Sequence, residues 1–155
     1  MSSTRTRALT VEQIMTSNPV TVGPGDTLVE VARMLDANEI SGLPVIDVTN
    51  CVIGVVSKTD VLHRAVEGPL GSRPASFFES IAEGLGRGSD LDPEELGVVE
   101  EFMSTEFLSV SPDDSVSSVA RRMSDMGYHR AIVVDADRRL LGIVTSLDIL
   151  RVFPR

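Results

Sequence analysis

The chain has 155 residues, 42% of them hydrophobic, and a formal charge of −9 at pH 7. That acidity works against nucleic acid and anionic membrane as partners, and no apolar run approaches the roughly 18 residues of a membrane span. A single cysteine, Cys51, permits no internal disulfide and fits a reducing, cytoplasmic setting. The opening Met1-Ser2-Ser3-Thr4-Arg5-Thr6-Arg7-Ala8 has no apolar core and reads as a flexible tail, not a secretory signal.

Thr10 followed three residues later by Gln13 has the form of a capping box and opens a short helix through Ile14 and Met15, which Asn18-Pro19 stops. Val20-Thr21-Val22 is a short strand-like run, and Gly23-Pro24-Gly25-Asp26 is a turn. From Thr27, with Glu30 at the capping-box position, Leu28, Val31, Ala32 and Leu35 fall at helical spacing and predict an amphipathic helix ending near Asn38. Leu43-Pro44-Val45-Ile46 is an apolar strand in which Pro44 suggests an edge or the first position. The turn Asp47-Val48-Thr49-Asn50 leads into Cys51-Val52-Ile53-Gly54-Val55-Val56 as a hairpin, and a closing helix follows from Thr59 to Val66.

Residues 67–97 have no counterpart elsewhere in the chain. A loop rich in Gly and Pro precedes a helical pattern over 75–85 carrying Phe77, Phe78, Ile81, Ala82 and Leu85. Asp92-Pro93-Glu94-Glu95 is a strong helix start that predicts a helix continuing through Leu96, Val98 and Val99 into Phe102-Met103. Both extra core and a partner or lid surface are consistent with this insert. Beyond it, Ser109-Val110 is a strand, Pro112 to Ser115 a turn and cap, and Val116, Val119, Ala120 and Met123 a helical face. Ala131 to Val134 and Leu140 to Val144 form a second hairpin about Asp135-Ala136-Asp137-Arg138.

The second half restates the first. Shifted by 88 positions, Val11 to His63 runs without a gap over Val99 to Arg151, with fifteen identities; composition alone would give roughly three. The chain is therefore an internal duplication, with repeats at 10–66 and 98–155 separated by the 67–97 insert. Each repeat reads as strand, helix, strand, strand, helix. Its most regular feature is Gly54-Val55-Val56-Ser57-Lys58-Thr59-Asp60, matched by Gly142-Ile143-Val144-Thr145-Ser146-Leu147-Asp148. In each copy a buried strand hands over to a helix whose first turn carries a hydroxyl and a carboxylate. Such a turn either caps the helix or offers donors and acceptors to an anion or a sugar. Lys58, His63 and Arg64 read as a solvated helix face.

These features resemble the cystathionine β-synthase (CBS) domain family, as a tandem pair. The likeness rests on Pro24-x-Asp26-Thr27-Leu28, on Leu43-Pro44-Val45-Ile46-Asp47 and on the Gly-h-h-Ser/Thr-x-x-Asp turn, in order and twice. It covers the chain except the insert and the N-terminal tail. The resemblance implies an α/β fold of two β-α-β-β-α repeats about a pseudo-twofold axis, with clefts between them that take adenosine-containing ligands such as AMP, ADP, ATP, S-adenosylmethionine or NAD. It implies that Asp60 and Asp148 accept hydrogen bonds from ribose, and that Ser57 and Thr145 contact phosphate or ribose. Thr59 and Leu147 occupy the variable position and make the clefts unequal. His129-Arg130 matches a pair that faces phosphate in the family, including the gamma subunit of the AMP-activated kinase. Ile40-Ser41-Gly42 in the first repeat offers no such cation.

The expected function is a stand-alone regulatory module that binds an adenine nucleotide and signals to a separate partner protein. The alternative is a structural or dimerisation module without a ligand. No catalytic or metal residue is assigned: Cys51, His63 and His129 form no constellation with a nucleophile or further ligands, and no phosphate-binding glycine loop is present. A homodimer is expected through apolar helical faces around Leu28, Leu35, Val61, Leu62, Ile149 and Leu150.

Overall fold

The computed structural model describes residues 9–67 and 96–152. The helix read over 75–85 and the Asp92 start lie outside them. The chain divides into two compact units that do not follow chain order: one takes Met1–Pro19, Thr49–Val52 and Phe107–Arg155, the other Val20–Val48 and Ile53–Glu106.

The first unit is built on a four-stranded sheet in the order β1-β6-β5-β4, where β1 is Thr16–Ser17, β4 Ser109–Val110, β5 Arg130–Val134 and β6 Leu140–Thr145. β5 and β6 are the predicted hairpin, antiparallel with Ile132 opposite Ile143, and β4 runs parallel to β5. Between β4 and β5 runs helix α5, Val116–Met126. Ser115 caps it by accepting from Ser118 N–H at 3.1 Å, and Gly127, at φ 75°, ends it. Val116, Val119 and Met123 on its inner face are buried beside Val133 and Val144 of the sheet. Each such side chain contributes about 1.5–3 kcal/mol on full burial.

The N-terminal segment belongs to this same unit. Helix α1, Val11–Ile14, has the capping box read from Thr10 and Gln13, with Gln13 Oε1 accepting from Thr10 N–H at 2.8 Å. Val11 N–H donates to Asp114 O at 2.9 Å, and β1 lies antiparallel on β6 with Thr16 opposite Ile143. The strand β1 had no sequence signal.

The second unit repeats this arrangement with the halves exchanged. Helix α2, Leu28–Ala37, starts at Thr27, whose Oγ1 accepts from Glu30 N–H at 3.2 Å, and ends at Asn38. β2, Gly42–Ile46, pairs with β3, Val52–Ser57, and helix α3, Lys58–Glu67, closes the repeat. Helix α4, Val99–Phe102, stands where α1 stands in the first unit: Val99 N–H donates to Asp26 O at 2.8 Å, and Ser104 bridges Val55. The segment ahead of each repeat thus packs in the unit of the other.

Three expectations are corrected. The helix from Asp92 does not run into Phe102: Gly97 has φ 90° and Val98 is extended, bridging Thr27, so α4 begins afresh at Val99. Val20-Thr21-Val22 is not a strand, because only Val22 bridges Val45. The cause is Pro44. In the second repeat Ile132 N–H donates to Leu108 O at 2.8 Å; at the corresponding position Pro44 has no N–H to give Val20. Pro44 stands mid-strand because its nitrogen faces the side where pairing ends. Finally, Leu28, Leu35, Val61 and Ile149 are buried, not partly covered, and Leu62 is half-buried; of that proposed face only Leu150 is exposed.

Candidate ligand-binding site

Both copies of the seven-residue turn have one geometry. The strand's last residue is the hydroxyl residue, and the helix starts on the next. In the second unit Asp60 Oδ2 accepts from Ser57 N–H at 2.8 Å and from Ser57 Oγ–H at 3.0 Å, while Asp60 N–H donates back to Ser57 Oγ at 3.2 Å. In the first unit Asp148 Oδ2 accepts from Thr145 N–H at 2.9 Å and Thr145 Oγ1–H at 3.1 Å, and Asp148 N–H donates to Thr145 Oγ1 at 3.4 Å. Each aspartate is therefore a cap through one oxygen. Capping uses Oδ2 alone and leaves Oδ1 directed elsewhere, so a cap and a ligand acceptor are compatible in one side chain. Each hydroxyl has a single proton, committed to its aspartate; in this geometry Ser57 and Thr145 can only accept from a further group.

The glycine that opens each copy is fixed by close approach. A Cβ on Gly142 would lie 2.5 Å from Met15 Sδ and 2.7 Å from Thr16 O. On Gly54 it would lie 2.8 Å from Met103 Sδ and 2.9 Å from Ser104 O. The motif glycine is where the segment ahead of the opposite repeat crosses its strand.

Four of the seven candidate residues gather in the first unit. Arg130 lies opposite Thr145 across β5 and β6, and His129 O accepts from Ser146 N–H at 3.0 Å and Ser146 Oγ–H at 3.1 Å. The backbone of the His-Arg pair is thereby tied to the start of helix α6, Ser146–Arg151, whose third residue is Asp148. His129 is exposed and Arg130 half-buried. A cavity of about 350 Å³ opens beside them, lined by Ser124, Tyr128, His129 and Ser146 and by the apolar Met123, Ile149 and Leu150. Arg130, Thr145 and Asp148 do not line it. Ser57, Thr59 and Asp60 form the counterpart in the second unit, with Thr59 exposed. There Lys58 N–H donates to Ser41 O at 3.0 Å, the same tie with Ser41-Gly42 in place of the His-Arg pair.

Two residues of this region escaped the sequence reading. Ser146 anchors His129, and Arg151 stands 3.5 Å from Asp148 Oδ1. Arg64, read as solvated, instead donates from Nε to Leu96 O at 3.1 Å and pairs through Nη2 with Glu101 at 2.8 Å. Among the described residues no cluster of three His, Cys, Asp or Glu side chains could hold a metal ion, and no helix is long and apolar enough to cross a membrane.

The CBS domain family model matches residues 11–67 and again 99–155. The chain belongs to the CBS domain family. As a tandem CBS pair it is similar to the L-aspartate semialdehyde sulfurtransferase of Methanocaldococcus jannaschii, 27% identical over 143 residues that cover 92% of this chain and 23% of that protein. It thus spans about a quarter of that relative. The solved structure of CBSX2 in complex with AMP is 28% identical, with a TM-score of 0.69 over 92% of this chain and 94% of that one; CBSX2 is from Arabidopsis thaliana. The CBS domain pair of protein MJ0100, in complex with 5′-methylthioadenosine and S-adenosyl-L-methionine, is 25% identical, with a TM-score of 0.71 over 94% of this chain and 96% of that one.

Proposed function

We propose that the chain is a regulatory CBS pair that binds an adenosine-containing ligand, with AMP, ADP or ATP as first choice, and signals its presence to a partner protein. The observation that carries this reading is that two CBS pairs alike over more than nine-tenths of this chain hold AMP in one case and 5′-methylthioadenosine with S-adenosyl-L-methionine in the other. An adenine base and a ribose 2′,3′-diol are common to all three ligands. In this reading Asp60 and Asp148 receive the ribose hydroxyls on Oδ1, while Ser57 and Thr145 hold each carboxylate by its other oxygen. Thr59 borders the first copy, and His129 with Arg130 meets phosphate, which an acidic chain would otherwise repel. A module of this kind acts by binding; the enzymatic activity named for the sulfurtransferase belongs to a protein of which this chain matches 23%.

The test is calorimetric titration of AMP and adenosine into wild type and a His129→Ala/Arg130→Ala double variant. A charge-assisted contact contributes about 1.5–3 kcal/mol, so AMP should weaken at least about tenfold while adenosine barely changes. Equal losses for both ligands would give the pair a structural role only. No binding of AMP, ADP, ATP, S-adenosylmethionine or NAD by wild type would overturn the reading.

A second reading, a dimerisation module without a ligand, is favoured by the exposed Met126, Leu147 and Leu150. They lie on and beside the two helices that border the cavity. Light scattering decides it: a homodimer that Leu147→Lys/Leu150→Lys returns to about 17 kDa, with no ligand bound in either state, would replace the first reading.

A further inference from the structure

The two copies of the turn share their cap; Lys58 replaces Ser146 within the turn, and a second charge difference bears directly on the aspartate. Three residues after Asp148 comes Arg151, whose guanidinium is 3.5 Å from Asp148 Oδ1; the carboxylate is 16% exposed and the arginine 73%. Since Oδ2 is held by Thr145, both oxygens of Asp148 are engaged. The residue at the position of Arg151 in the first repeat is His63, which is exposed. Among the described residues no cation is ion-paired with Asp60, and its hydrogen bonds all fall on Oδ2 or its own N–H.

A carboxylate binds a vicinal diol by accepting two O–H donors. An oxygen already facing a guanidinium is a poorer acceptor, because the arginine must be displaced and keeps its charge when it leaves. We infer that Arg151 suppresses Asp148 as a diol acceptor, so that Asp60 is the dominant acceptor and the first repeat's turn loads first. The inference rests on the ligand reading above and goes beyond it by ranking the two copies and naming the residue that ranks them.

Adenosine is the probe, because it carries the diol without a phosphate that would respond to any added or removed cation. It is titrated calorimetrically into the full chain as wild type, Asp60→Asn, Asp148→Asn, Arg151→Ala and His63→Arg. Asparagine keeps a side-chain oxygen that can accept from the capping residue, and the capping hydroxyls of Ser57 and Thr145 are untouched, so the first two variants keep their helix starts, and melting curves verify the fold of all four. Asp60→Asn should weaken the tighter binding event by about tenfold, the scale of a hydrogen bond to a charged group, and Asp148→Asn should leave it unchanged. Arg151→Ala should strengthen the weaker event by about two- to fivefold, the range of a partly exposed ion pair. His63→Arg, which installs the second copy's arginine in the first, should weaken the tighter event by a similar factor. Unchanged isotherms for Arg151→Ala and His63→Arg, or weaker binding on removing Arg151, would overturn the inference while wild-type binding upheld the ligand reading. A wild type that takes up no adenosine would overturn both.

Discussion

Gly142→Ala isolates the crossing of β1 over β6, which ties the N-terminal segment to the first unit. The added methyl would meet Thr16 O at 2.7 Å, whereas ordinary contact begins at 3.4 Å, so β1 must retreat by roughly 0.7 Å. Thr16 O is backbone in a two-residue strand and has no rotamer to escape into. Overpacking of this kind costs about 1–3 kcal/mol, and the better strand propensity of alanine returns up to about 1 kcal/mol, for a net loss of about 1.5 kcal/mol. At an m-value near 2 kcal/mol/M the urea midpoint should fall by about 0.7 M. Gly54→Ala, whose tightest backbone contact is 2.9 Å, should lose less. Gly25→Ala, with nothing within 4 Å of its Cβ, should be neutral or slightly stabilised. Adding Met15→Ala to Gly142→Ala should give no rescue, since it relieves the sulfur contact and not the carbonyl. If Gly142→Ala matched Gly25→Ala, or if Met15→Ala rescued it, the motif glycine would not be fixed by backbone approach.

Glu39, at φ 52°, occupies the position that Gly127 takes at φ 75° after α5, so Glu39→Gly should stabilise the chain by about 0.5–1 kcal/mol in urea titration. A loss of stability there would mean that Glu39 makes a contact outweighing its backbone strain. Arg64→Ala removes the bonds to Leu96 O and Glu101 and should cost about 1 kcal/mol, with faster amide exchange at Gly97 and Val98. Glu101→Ala, which spares the bond to the carbonyl, should cost about half as much.

What sequence shows depends on how local the cause is. The caps at Thr27 and Ser115 and the helices they start depend on side chains three residues away and are legible in one turn of chain. The duplication is equally plain. β1 and the Ser104 bridge were not legible, because two residues carry no periodicity and their partners lie some 50 to 127 positions away. Identity of Met15 with Met103 and of Gly54 with Gly142 was the trace they left. The Asp92 start suggested a helix running through Leu96 and Val99; both residues are buried, yet the left-handed Gly97 between them ends any such helix before Val99. At the candidate site, sequence locates Asp60 and Asp148 but not which oxygen the cap consumes. The exchange of His63 for Arg151 is visible in the repeat alignment, but its meaning appears only once the arginine is seen against Asp148.

Exchange of the leading segments makes each repeat dependent on the other half of the chain. A break within 68–95 would leave the N-terminal fragment with most of the second unit but without Leu96 and Val99, each fully buried, and without Ser104 against β3. The C-terminal fragment would lack Val11, also fully buried, and β1 against β6. Two large apolar side chains contribute about 3–6 kcal/mol on burial, comparable to the whole stability of about 5–15 kcal/mol expected of a domain. The duplicated sequence therefore does not encode two independent folding units. Fragments 1–80 and 81–155, made separately, should each show weak ellipticity and no cooperative melt, whereas an equimolar mixture should recover the spectrum and melting transition of the intact chain. A cooperative transition in fragment 1–80 alone, near the intact chain's melting temperature, would refute this, since it would mean that the first repeat closes its core without α4.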